Sequence, residues 1–323
     1  MFVLDLNLNT MRLVYLNFIL FLSAVCLAQQ PDVQLKNISD TILNQKRTLK
    51  TADPLDPVKT MQKLFPGKLY NLSDHNTFIS WNCKSCQPTT FTDVNGIEGD
   101  QLFPYEQGIA TRLLANIDYS DSKGNQFKTL AFNHSVYDED GLQTGRFFGG
   151  LLGIAKFAKN GSVWEMRSFQ PAVAAFGAFA QCPKPKLLEI GEDQFAYTLL
   201  HVNGGAGGPF EGYLYLVAGF DGKYQPIMEV SAYQLTNVAS AEWSGSYTVV
   251  NDGIKKHFRD IIIKTNGSFN KAEDEFGVTL PEEIATMAKT KKSFNFEIER
   301  RFSFKGKFYK MIGKPVVKFS NVK

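Results

Sequence analysis

Four cysteines and four histidines in 323 residues leave little material for thiol or metal chemistry. No second Cys-x-x-Cys accompanies the pair at Cys83 and Cys86, so a four-cysteine zinc site is excluded. Gln87 stands where haem attachment needs a histidine. The chain has no Gly-x-Ser-x-Gly and no His-Glu-x-x-His, the signatures of common serine and zinc hydrolases. Its glycine-rich stretch runs into Gly208-Pro209-Phe210 and so cannot be a Walker phosphate loop. There is a single long apolar run, at the N-terminus, and none follows it. Charge is nearly balanced, 35 Lys and Arg against 32 Asp and Glu, so bulk electrostatics select no partner.

That apolar run is informative. "MRLVYLNFILFLSAVCLAQQ" (11–30) has a basic start at Arg12, a core too short to span a bilayer, and small residues at Cys26 and Ala28. It reads as a secretory signal, residues 1–28, cleaved after Ala28. Met11 competes with Met1 as the start, because Asp5 makes residues 1–10 a poor leader. A lipoprotein acylated at Cys26 is disfavoured by the bulky Val25 before it. Export predicts a periplasmic, extracellular or cell-surface protein, in a compartment where disulfides persist. No transmembrane span is expected after cleavage. Five Asn-x-Ser sequons, at Asn37, Asn71, Asn133, Asn160 and Asn266, matter only in a eukaryotic pathway.

The expected fold is mainly β: an antiparallel sandwich or a curved, barrel-like sheet, with a short helical lead-in over 29–65 and a β domain over 66–323. Leu35, Ile38, Ile42 and Leu43 have helical spacing, and Asp56-Pro57 opens a helix through Leu64. Strand signals then take over. Asn160-Gly161 predicts a hairpin placing Phe157 opposite Trp164 and Lys156 opposite Glu165. Asp221-Gly222 predicts another, with Tyr213, Tyr215 and Val217 sharing a buried face with Met228 and Val230. Pro226 points to an edge strand. Further turns are expected near Ser122–Gly124, Glu192-Asp193 and Lys305-Gly306. "SFNFEIERRFSF" (293–304) alternates like a half-buried strand, with Arg300 interrupting the face and assigned to the sheet rim. A short helix or linker over 281–289 would leave Glu282 and Glu283 solvated, and a domain boundary would fall at 270–290. A β-propeller is the runner-up; no repeated blade signature supports it.

Three sites are candidates. The first is "WNCKSCQ" (81–87). Three cysteines remain after cleavage, and the preferred reading is a structural disulfide from Cys83 or Cys86 to Cys182, closing a loop of roughly 100 residues. A short Cys83–Cys86 bridge with Cys182 buried stays open, as do a redox pair and a zinc site completed by Cys182 or His75. The second is "HVNGGAGGPFEG" (201–212): Gly204, Gly205, Gly207 and Gly208 flanked by His201 and Glu211, a loop able to turn backbone amides toward a ligand. The third is "YDEDG" (137–141), where Asp138 and Asp140 suit an irregular calcium site but not an EF-hand, since Val136 and Phe147 occupy ligand positions. No cofactor is required; calcium and zinc are the two metals these residues leave open.

Residues 281–323 hold eleven Lys and Arg against four Glu. This basic segment suits an anionic polymer or an envelope surface, or simply protects an edge hairpin; export argues against nucleic acid. The features together imply an exported, non-enzymatic binding or scaffold protein acting through loops 201–212 and 137–146. The alternative is an exported hydrolase of an envelope polymer or glycan, using paired carboxylates in a cleft. The second alternative is a cysteine-based redox or metal protein.

Overall fold

Alternating apolar residues and tight turns build a protein that is mostly antiparallel β, with two α-helices among the described residues. The computed structural model describes residues 33–72, 76–95, 100–136, 147–204, 210–235, 240–254, 256–271 and 279–323. Residues 1–28, expected as a secretory signal, lie outside them, as do His75, Asp138, Asp140, Gly205, Gly207 and Gly208. Gln34–Lys323 form one compact unit. No helix among the described residues is long and apolar enough to cross a membrane.

The lead-in contains the expected second helix and not the first. In α1 (Pro57–Leu64) the Asp56 side chain accepts from the Lys59 N–H at 3.0 Å, and Pro57 occupies the first turn where no N–H is needed. Arg47 caps the other end, donating to the carbonyls of Leu64 and Lys63 at 3.0 and 3.1 Å. Residues 33–47 are irregular or extended, with one 3-10 turn, Asp40–Leu43, and a tight turn at residues 44–47. Tertiary pairing overrides the helical spacing: the Ile38 N–H donates to Asn82 O, and the Asn82 N–H to Lys36 O. Ile38 and Ile42 are then buried while Leu35 is 43% exposed, so the apolar residues do not share a face.

The first sheet takes β1 (Lys50–Ala52), β2 (Lys68–Asn71), β3 (Thr77–Trp81), β6 (Ile109–Ser120), β7 (Gln126–Val136), β8 (Gly150–Asn160) and β9 (Val163–Gln170), in the order β1-β9-β8-β7-β6-β3-β2. The two-residue β10 (Ala175–Phe176) adds to β8, and β4 (Thr89–Phe91) pairs with β5 (Gln101–Phe103) as a separate ribbon. The second sheet is a continuous meander: β11 (Lys186–Gly191), β12 (Gln194–Gly204), β13 (Phe210–Phe220), β14 (Lys223–Leu235), β15 (Ala241–Val249), β16 (Ile261–Asn270), β17 (Ser293–Lys305) and β18 (Phe308–Ser320). Two long sheets, rather than radial blades, exclude the propeller. The segment expected as a boundary joins β16 to β17, which are adjacent strands of one sheet.

The second sheet curls because β14 and β15 share only two residue pairs, Tyr233↔Ser244 and Gln234↔Trp243. Beyond them the strands diverge, and β16–β18 pack back over β11–β14 around Ile190, Leu216, Ile227, Ile263 and Phe302. Pro226 sits on the diverging half of β14, a local edge, as its missing N–H requires. The other face of β12 and β13 packs on the first sheet through Tyr197, Leu199, Tyr215 and Val217 against Ala131, Leu152 and Phe176. β13 is therefore buried on both faces, which accounts for its unbroken "YLYLVAG" run. Thr129 and Tyr197 hydrogen-bond across the sheets at 2.7 Å. The lead-in and α1 cover the first sheet's remaining face around Phe65, Trp81 and Phe132.

Turn chemistry moves two registers. At β8–β9 the loop is Gly161-Ser162, because Gly161 supplies the positive φ (60°) that a type II′ turn needs first. Lys159 therefore faces Trp164, Ala158 faces Glu165 and Phe157 faces Met166, in place of the pairs expected from an Asn160-Gly161 loop. At β13–β14 the Asp221-Gly222 turn is as predicted, with φ positive at both residues. A bulge after Pro226 then inserts Ile227, so Leu216 faces Met228 and Leu214 faces Val230. Met228 and Val230 consequently lie on the face opposite Tyr213 and Tyr215.

The C-terminal third corrects a further expectation. α2 (Glu282–Thr290) packs Ile284 and Ala288 on the core face of β17, beside Phe294, Phe296 and Ile298. Arg300 points to that same face and not to a rim. It donates two hydrogen bonds of 2.6 Å to Glu283, both side chains being about 14% exposed or less. Glu283 is thus not a solvated helix residue: two charges placed on a buried surface are compensated by each other.

The long-range disulfide is also corrected. Cys83 bonds to Cys86, and Cys182 is a free, buried thiol. Cys182 is held elsewhere, its N–H donating to Asn133 Oδ1 at 3.0 Å. The short bridge closes a tight loop inside the lead-in core: Cys83 is 0% and Cys86 7% exposed. The Lys84 N–H donates to Asn37 Oδ1 at 3.0 Å, so the loop holds the lead-in to β3. Thiol exchange needs access to a sulfur, which this burial denies. The loop-entropy model assigns such a small ring about 2 kcal/mol, against nearly 5 for a loop of roughly 100 residues. Replacing Cys83 and Cys86 by serine together is expected to lower unfolding free energy by about 2 kcal/mol. Urea titrations of the two proteins measure it, and a loss near 5 would show that the bridge constrains far more chain than its own loop.

Candidate functional site

The end of β12, the start of β13 and part of β14 border a cavity of about 500 Å³. Val94, Asn95, Phe147, His201, Asn203, Gly204, Glu211, Tyr213, Tyr215 and Glu229 line it. Three of the sequence candidates, His201, Gly204 and Glu211, meet here; the rest of the glycine loop lies outside the described residues. Phe147, adjoining the 137–146 segment, lines the same cavity, so the described ends of both nominated loops converge.

Strand pairing explains the convergence. His201 faces Tyr213, Asn203 faces Glu211, and Tyr215 faces Glu229. In each strand alternate residues share a face, so one surface carries them all. The Gly177 N–H donates to His201 Nδ1 at 2.8 Å. An Nδ1 that accepts a hydrogen bond leaves the neutral ring's proton on Nε2. Burial pushes the His201 pKa down, opposed by nearby Asp93, which favours that neutral form.

The opposite wall is a hydrogen-bonded hinge of backbone and amides. Asp93, 4% exposed, accepts from the Asn95 N–H at 3.0 Å, from Asn95 Nδ2 at 2.8 Å and from the Gly149 N–H at 2.8 Å. Asn95 Nδ2 also donates to Gly177 O at 2.9 Å, and Asn203 Nδ2 donates to Asn95 Oδ1 at 2.6 Å. One buried carboxylate thereby ties the start of β8, the Gly177 turn and the end of β12 into a single rim.

The electrostatics have one sign. Among the described residues Glu211 and Glu229 are the only formally charged side chains in the lining, and no Lys or Arg joins them. Burial raises the Tyr215 pKa, helped by the charge of Glu229 and by a hydrogen bond to it. Burial also raises that of Tyr213, together with Glu211 and Glu229. The cavity therefore presents two carboxylates, two protonated tyrosines and a neutral imidazole. Such a set attracts cations and hydrogen-bonds hydroxyl groups.

Sequence reasoning missed Asp93, Asn95, Asn203, Tyr213, Tyr215 and Glu229 as site residues. The period of β13 groups Glu211 with Tyr213 and Tyr215, but the bulge at Ile227 hides that Glu229 joins them. Among the described residues no group of three or more His, Cys, Asp or Glu is placed to hold a metal. Asn133 is 1% exposed and donates to Ala180 O, so its sequon is inaccessible in the folded protein. A wider concavity of about 860 Å³ lies over β15–β18, but Lys318 and Glu297 pair at 3.0 Å in it, as on an ordinary solvated sheet face.

No protein-family model matches this chain, and neither a curated protein nor a solved structure matches it.

Proposed function

We propose that this is an exported, non-enzymatic binding protein whose β12–β14 cavity takes a small ligand bearing a positively charged amine. The observation that carries the reading is the described lining: two carboxylates and two tyrosines, with no Lys or Arg among the described residues. Either carboxylate gives an amine charge-assisted hydrogen bonds, one at each end of the lining. Tyr213 and Tyr215 offer ring faces or hydroxyls to the same group. The secretory signal and the buried disulfide support the placement outside the cytosol.

Calorimetric titration with putrescine, choline and glucose tests it. Putrescine or choline is expected to bind, glucose at least tenfold more weakly. Replacing Glu211 or Glu229 by glutamine should each weaken amine binding about tenfold, the scale of one charge-assisted hydrogen bond. Equal affinity for all three probes, or no effect of either substitution, sinks this reading.

Glu211 and Glu229, set apart by Tyr213 in the strand register, are the carboxylates that the hydrolase alternative would use as acid and base. Release of reducing ends from envelope polysaccharides, lost in both E211Q and E229Q, would replace binding by hydrolysis as the function.

A further inference from the structure

The C-terminal hairpin combines two properties that rarely coincide on a soluble edge. Residues 300–323 contain eight Lys and Arg and no Asp or Glu. Three of the eight are engaged: Arg300 with Glu283, Arg301 with Asp260 and Lys318 with Glu297. Lys305, Lys307, Lys310 and Lys314 are exposed and form no ion pair among the described residues. β18 ends the second sheet, so among the described residues no strand hydrogen-bonds to its outer edge.

Large apolar side chains sit among these lysines. Phe308 is 49% exposed, Met311 48% and Val316 56%. Of fifteen exposed large apolar side chains, four fall in the last sixteen residues, a density well above that of the rest of the unit. Register places Phe308, Lys310, Ile312, Val316 and Lys318 on the outward face, opposite Lys305, Ser303, Arg301, Glu299 and Glu297. Apolar and basic residues thus share one surface, whose two acids, Glu297 and Glu299, are paired with Lys318 and Lys264 at 3.0 and 3.2 Å.

A lysine edge that only blocks strand addition has no use for exposed phenylalanine and valine between its charges. Pairing with a second copy would bring like-charged lysines together. An anionic lipid surface satisfies both properties: the head groups neutralise the ammonium groups, and the apolar side chains reach the acyl boundary. We propose that the β17–β18 hairpin docks on an anionic phospholipid surface, with Phe308 and Val316 inserting at head-group depth and Lys305, Lys307, Lys310 and Lys314 lying over the phosphates. This is independent of the cavity and its ligand.

Cosedimentation of the exported protein with vesicles tests it. The vesicles are phosphatidylcholine alone or an equimolar mixture with phosphatidylglycerol; heparin serves as a soluble polyanion. Binding is expected to the mixed vesicles and at least tenfold less to phosphatidylcholine. K305Q/K307Q/K310Q should weaken it roughly 100-fold, about fivefold per lysine. F308S/V316S should weaken vesicle binding about tenfold and leave heparin binding unchanged. All five positions are exposed, and circular dichroism checks that the variants fold. If F308S/V316S binds vesicles like the parent while the lysine variant loses vesicles and heparin alike, the surface is a polyanion site and the membrane proposal fails. Absence of binding to mixed vesicles overturns it in favour of edge protection. A dimer that F308S/V316S dissolves would make the face a contact between copies.

Discussion

Alanine at position 150 is expected to destabilise the protein by more than about 3 kcal/mol. Gly150 opens β8 where three pieces of backbone meet. A Cβ there would overlap Asn133 Oδ1, the Cys182 nitrogen and the Ala180 carbonyl oxygen. None can withdraw cheaply. Asn133 is pinned at both ends, its Nδ2 donating to Ala180 O and its Oδ1 accepting from Cys182 N–H, each at 3.0 Å. Moving the amide would leave buried polar groups unpaired, and moving β8 would disturb the Gly149 N–H that binds Asp93. The damage should therefore reach the cavity rim. Urea unfolding of G150A beside G219A measures the effect. Gly219 faces only ordinary contacts near Tyr224, so its alanine variant should stay within about 1 kcal/mol of the parent. Equal stability of the two variants would show that the Asn133–Cys182 knot is looser than described.

Acid should weaken the fold through His134 before most carboxylates titrate. His134 is 0% exposed, boxed by Phe65, Trp81, Phe103 and Phe132 at centroid distances of 4.9, 5.7, 6.2 and 5.2 Å. Its Nδ1 lies 2.7 Å from Thr111 Oγ1, which also accepts from Trp81 Nε1–H at 2.7 Å. Nε2 has no hydrogen-bond partner among the described residues. A proton added to this ring would place a charge in an aromatic box, and burial lowers the pKa from 6.5 to about 3. The sign follows from linkage. Between those two values the unfolded chain binds the proton and the folded chain does not. Stability present above pH 6.5 is lost as pH falls toward 3, at about 1.4 kcal/mol per unit. The group's total contribution is roughly 4–5 kcal/mol. His134→Asn keeps an acceptor for Thr111 but cannot titrate. It should be about 2–3 kcal/mol less stable at neutral pH, from lost ring packing. That gap should then narrow by about 1.4 kcal/mol for each unit of acidification from 6.5. Parallel pH profiles for the two proteins would falsify the assignment.

Local chemistry alone decided a good part of this protein. Strand alternation, Asp-Gly and related turns, and the Asp56-Pro57 helix start act between neighbours, and each appears in the structure at or near its expected place. His201, Gly204 and Glu211 were legible as one loop's flanks for the same reason. The expectation of export likewise comes from a contiguous stretch, residues 11–28, read without reference to the fold. Tertiary structure decided the rest, because it depends on residues far apart in the chain. Asn82 drew residues 36–38 out of a helical pattern into strand pairing. One inserted residue, Ile227, reversed the faces of β14 and brought Glu229 to Tyr215. Arg300 looked misplaced on a buried face until α2 supplied Glu283. Cys182 looked like half of a staple until Asn133 and Ala180 enclosed it. The cavity gathers residues from β12, β13 and β14 with Val94, Asn95 and Phe147 from far along the chain, and no local pattern records which distant segments meet.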